Sequence, residues 1–160
     1  MTTWYSCKVK YGRQEEDGGL KQVTDEYLVD AVSYTDAEAR VHHLGLELPG
    51  DFAVASIRKT NFAEVLPSEE AETWFKCKVT YHTVDGDRGK EVKITTYLLV
   101  CANHIKQAFE TLEKHFSSMI VAYEVPSIIQ TNIVEVYPYD SEAIPAHLKP
   151  ISEVENADYQ

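Results

Sequence analysis

The chain has 160 residues, a formal net charge of −11, 44% hydrophobic residues and three cysteines. That hydrophobic share supports a folded core and excludes a disordered chain, and no apolar run approaches the ~20 residues of a membrane-spanning helix. The acid excess disfavours general attraction to nucleic-acid phosphates, and three widely spaced cysteines exclude a disulfide framework and fit a reducing compartment.

In chain order, the first element is the octamer WYSCKVKY at residues 4–11, which alternates at period two as a two-faced strand must. Tyr5, Cys7, Val9 and Tyr11 share one face; Trp4, Ser6, Lys8 and Lys10 share the other. EEDGG at residues 15–19 supplies turn chemistry, so a hairpin is expected, with its return strand over Val23 to Ala31. Thr35 with Glu38 then forms a capping-box pattern, and Ala37, Val41, Leu44 and Leu48 recur at helical spacing. A long strand follows in SIRKTNFAEVLP, residues 56–67. Asn is poor inside a strand, so Thr60-Asn61 at its middle predicts a bulge or a break into two shorter strands.

The plan then repeats. WFKCKVTY at residues 74–81 keeps five of the eight positions of the first octamer. VDGDRG at residues 84–89 supplies the second turn, and Val92 to Ala102 the second return strand. Ile105, Ala108, Phe109, Leu112 and Phe116 form a helical apolar stripe, with Asn103 as the expected N-cap. SIIQTNIVEVYP at residues 127–138 matches residues 56–67 at seven of twelve positions and carries its own Thr131-Asn132.

An α+β protein is therefore expected, as a tandem duplication of a β-β-α-β unit: residues 1–70, then 71–139, then an acidic extended or disordered tail at 140–160. One unit alone buries a single face of a three-stranded sheet. Two together can complete one continuous antiparallel sheet carrying both helices about a pseudo-twofold axis. The three segments carry charges of −6, −1 and −4.

The pattern W-[YF]-x-C-K-V-x-Y, with YLVDA and AEAR after it and TN-x-x-E-V-YPY at the end, resembles an uncharacterised family of gut anaerobes and their bacteriophages. That family is a domain of unknown function, and the resemblance runs from Trp4 to Tyr139. It implies a phage or mobile-element gene acting inside the host cell, in nucleic-acid metabolism or host takeover. It implies no catalytic or binding residue.

The outer strand face is the leading candidate site. Trp4, Lys8 and Lys10, with Trp74, Lys76 and Lys78, would set an indole and two ammonium groups on each related strand. Aromatic platforms beside basic side chains hold single-stranded nucleic acid without reading its sequence. The expected function is thus non-enzymatic binding of single-stranded nucleic acid by a cytoplasmic accessory protein, with the tail tuning access. The alternative is an acidic, DNA-mimicking module that binds a host or phage protein through Glu15, Glu16, Asp17, Asp25, Glu26 and Asp30. A third reading buries the Trp and Lys face in a homo-oligomer.

Other constellations carry less. Cys7 and Cys77 occupy matching inward positions as small core residues, and His42, His43, His104 and His115 show no zinc spacing. Asp85 and Asp87 belong to a turn without the further ligands of a calcium loop. No cofactor or metal is expected, no nucleophile–base grouping is legible, and the absence of a signal-peptide apolar segment fits a cytoplasmic protein.

Overall fold

Each repeat opens with two twelve-residue strands, because its alternating residues give one apolar face to pack and one polar face to leave outside. The computed structural model describes residues 2–44, 51–84, 86–87 and 89–139; Leu48, Asp85 and the tail at 140–160 lie outside the described residues. The protein is α+β, with eight strands in two sheets and two helices among the described residues. The elements run β1 (Thr3–Gln14), β2 (Leu20–Ala31), α1 (Tyr34–Leu44), β3 (Phe52–Lys59) and β4 (Phe62–Leu66). The second repeat gives β5 (Thr73–Val84), β6 (Glu91–Ala102), α2 (Ile105–His115), β7 (Tyr123–Gln130) and β8 (Ile133–Tyr137).

The Thr-Asn pairs do break the long strands, separating β3 from β4 and β7 from β8. Thr60 donates its backbone N–H and its hydroxyl to the Trp4 carbonyl, at 2.9 and 2.8 Å. Thr131 does the same to Trp74, at the same two distances. Beyond each break the chain enters the other sheet. The strand orders are β3-β1-β2-β8 and β4-β6-β5-β7, so each repeat donates its last strand to the sheet founded by the other. The continuous sheet expected from sequence is therefore two four-stranded sheets, and β4 runs parallel to β6. Over the described residues the compact units accordingly divide at Thr60/Asn61 and again at Val134/Glu135. The sequence boundary at 70/71 marks the repeat and not the packed unit, because the break at each Thr-Asn redirects the chain.

In the first unit, Ala37 and Val41 of α1 pack on Tyr5, Cys7, Val9, Val29 and Ala31. In the second, Ala108 and Leu112 of α2 pack on Phe75, Cys77, Val79, Leu98, Val100 and Ala102. Full burial of each large aliphatic residue contributes about 1.5–3 kcal/mol. The opposite sheet faces bury matching residues too, since Leu28 and Leu99 are both fully buried.

Both helices start by one reciprocal arrangement. Ser33 Oγ accepts from the Asp36 N–H at 3.1 Å, while Asp36 Oδ2 accepts from the Val32 N–H at 2.9 Å. His104 Nδ1 accepts from the Gln107 N–H at 3.1 Å, and Gln107 Oε1 from the Asn103 N–H at 2.6 Å. Thr35 and Asn103 are thus not the caps. Ser33 and His104 are, because each stands three residues before a side chain able to return the bond.

Candidate nucleic-acid interface

Strand alternation places Trp4, Ser6, Lys8 and Lys10 on the face of the first sheet turned away from α1. Lys8 and Lys10 are exposed, and Trp4 is half-buried. The register brings Arg58 of β3 opposite Ser6, and Arg58 is also exposed. Three cations therefore share this face. Sequence reading missed Arg58, because only the β1–β3 pairing sets it beside the octamer. The face is not uniformly basic. Glu26 lies opposite Lys8 and accepts a 2.6 Å hydrogen bond from the Ser6 hydroxyl, and half-buried Asp30 lies opposite Trp4.

The second octamer is built differently at the same positions. Trp74 is 8% exposed, so its indole presents no platform to solvent. Lys76 is half-buried with its Nζ 4.8 Å from the centroid of Tyr97 and 5.8 Å from that of Phe62. A cation held over two ring faces is engaged within the fold. Lys78, opposite Tyr97, is half-buried as well. Of the two tryptophans, Trp4 alone is half-exposed. Around Lys76 the cause is local: Lys76 and Tyr97 stand where Ser6 and Glu26 stand in the first repeat, and the Phe62 ring of β4 lies near the Lys76 ammonium.

The six acids of the alternative reading do not form one patch. Glu15, Glu16 and Asp17 are exposed at the β1–β2 turn, where Gly18 takes a φ of 86° and Asp17 Oδ1 accepts the Gly19 N–H at 2.9 Å. Asp25 faces the helix side, and its Oδ2 accepts the hydroxyls of Tyr11 at 2.7 Å and Tyr27 at 3.2 Å. Those bonds leave Asp25 engaged within the first unit. They hold the Tyr11 hydroxyl above its ordinary range, and burial together with the Asp25 charge raises that of Tyr27. Glu26 and Asp30 lie on the other face.

The cysteines are core residues. Burial pushes the Cys7 thiol up to about 12 and the Cys77 thiol up to about 11, which keeps both protonated and unreactive near neutrality. Among the described residues, no group of three or more His, Cys, Asp or Glu side chains is placed to hold a metal ion. The His115–Glu64 pair, 2.6 Å apart, is a contact that sequence separation hides; it fastens α2 to β4. Among the described residues, no helix is long and apolar enough to cross a membrane.

Residues 3–139 match the family model described as Domain of unknown function (DUF4494), and the chain belongs to that family. No curated protein matches it.

Proposed function

We propose that this protein is a non-enzymatic binding module for single-stranded nucleic acid, and that the first unit alone carries the surface. One observation carries the reading. Lys8, Lys10 and Arg58 are exposed on one sheet face with half-exposed Trp4 at its end. Such a face offers phosphate contacts and one stacking ring without any demand for sequence. The motif resemblance supports a phage or mobile-element origin and action in the host cytoplasm. Fluorescein-labelled oligo-dT, followed by anisotropy over a salt series, tests the proposal. Binding should weaken steeply with salt, and each cation removed by Lys8→Ala, Lys10→Ala or Arg58→Ala should flatten the log–log slope by about 0.7. Absence of binding at low salt would reject it, because electrostatic attraction is strongest there.

A second reading rests on the turn between β1 and β2. Glu15, Glu16 and Asp17 are exposed there, and Leu20 beside them is 81% exposed. An acidic turn with one bare apolar side chain suits a basic protein surface better than a nucleic acid. A variant with Glu15→Lys, Glu16→Lys and Asp17→Lys separates the two readings. It should abolish capture of a protein partner and strengthen oligonucleotide binding.

A further inference from the structure

Gly12 is an unusual choice within a long strand, even near its end. It sits two residues beyond Lys10 in β1, and its second-repeat counterpart in the octamer frame is His82. Its φ is not in the positive region that favours glycine, so no backbone need explains it. A Cβ built there would meet Leu20 Cδ2 at 4.0 Å, an ordinary contact, so close packing does not explain it either. What the missing side chain leaves is space. A hollow of about 370 Å³ opens beside it, within the range of small-ligand sites.

The hollow belongs to the face already described. Lys10 and Gly12 share that face by strand alternation, Gln22 lies opposite Gly12, and Ala53 lies opposite Lys10. The 4.0 Å approach to Gly12 puts Leu20 on the same side. The hollow is therefore floored by a bare backbone, walled by an apolar side chain that is otherwise 81% exposed, and flanked by Lys10; Tyr11 and Lys21, which also line it, alternate to the other face. Asp51 is the acid among its lining residues. An exposed leucine and an open glycine beside the Lys10 ammonium group match the flat apolar face and adjoining phosphate of one nucleotide.

We infer that the Gly12–Leu20 hollow is a base-binding subsite, which seats one unpaired nucleobase of a strand whose phosphates follow Lys10 and Lys8. The inference rests on the nucleic-acid reading and extends it. Trp4 stacks one base at one end of the face, and the hollow takes another at the far end. The strand thereby acquires two anchored bases with lysines between them.

Gly12→Val fills the hollow without demanding an unfavourable φ, and Leu20→Ser removes its wall at an exposed position. Binding is measured by anisotropy for dT10 and for a ten-residue abasic strand of equal charge, with thermal unfolding as the check on folding. Each substitution should weaken dT10 binding about tenfold, the scale of one lost stacking contact. Binding of the abasic strand and the salt slope should stay unchanged. Equal dT10 affinity in the wild type and in folded Gly12→Val would overturn the subsite while leaving the lysine face intact. If the wild type binds neither strand, the nucleic-acid reading and the subsite fall together.

Discussion

Thr60 holds the carbonyl of Trp4 with two hydrogen bonds, one from its N–H and one from its hydroxyl, and Thr131 holds Trp74 identically. The repeated threonine thus ends pairing along β1 and β5 at a fixed residue and turns the chain toward the other sheet. Thr60→Val keeps the shape and the N–H bond but removes the hydroxyl. Each threonine replaced should cost about 0.5–1.5 kcal/mol in urea unfolding, the net value of one such bond.

Lysines at equivalent positions should differ in what they do. Lys78→Ala is expected to change the salt slope of oligo-dT binding by less than Lys8→Ala, since Lys78 is half-buried and Lys8 exposed. Lys76→Met should leave binding unchanged and cost about 0.5–1 kcal/mol of stability, through loss of the contacts with Tyr97 and Phe62. Equal slopes for all three variants would place nucleic acid on a different surface.

Alkaline pH should weaken the fold through its buried thiols. Cys7 and Cys77 titrate at about 12 and about 11 when folded, against 9.0 for a free thiol. Below pH 9 both folded and unfolded chains keep these protons, and the contribution is fully present. Above it the unfolded chain gives them up first, so stability falls by about 1.4 kcal/mol per pH unit for each thiol. The loss is complete once pH passes the folded values. Urea unfolding at pH 8, 9 and 10 should show little change up to pH 9 and a fall beyond it, and Cys7→Ala with Cys77→Ala should flatten that fall.

Arg40 ties α1 to the chain after β8. It is 6% exposed, donates from Nη2 to the Pro138 carbonyl at 2.8 Å, and lies 5.0 Å from the ring centroid of Tyr139. Arg40→Met should keep much of the packing but lose the charge-assisted bond, at about 1.5–3 kcal/mol. Amide exchange should then accelerate in Ile133–Tyr137 before it does in β1 or β5. Uniform acceleration across the sheet would show instead that Arg40 supports the core as a whole.

Much of the local structure was legible in the sequence. The octamers alternate as strands because their core residues do, and the Thr-Asn breaks stand where Asn disfavours a continuous strand. The caps were misread by a residue or two, since Ser33 and His104 are chosen by partners three residues on. The destinations of β4 and β8 were not legible at all. Phe62 and Ile133 follow their breaks with equal propensity for either sheet, and only packing decides which edge they join. The same limit governed the site. Trp4 and Trp74 look alike in sequence, yet they differ in exposure and lie opposite different partners, Asp30 and Cys101, and Arg58 becomes visible only through strand register.

The exchange of last strands also sets an order on synthesis. Leaving the ribosome N-terminus first, the chain presents β1, β2, α1 and β3 early, but the strand that borders β2 arrives only with Ile133–Tyr137. Until then β2 is an open edge, with backbone donors and acceptors free to pair with another chain. Everything between β2 and β8 must be translated before the first-made sheet is sealed, and β2 is most vulnerable to wrong pairing while those residues are still being made.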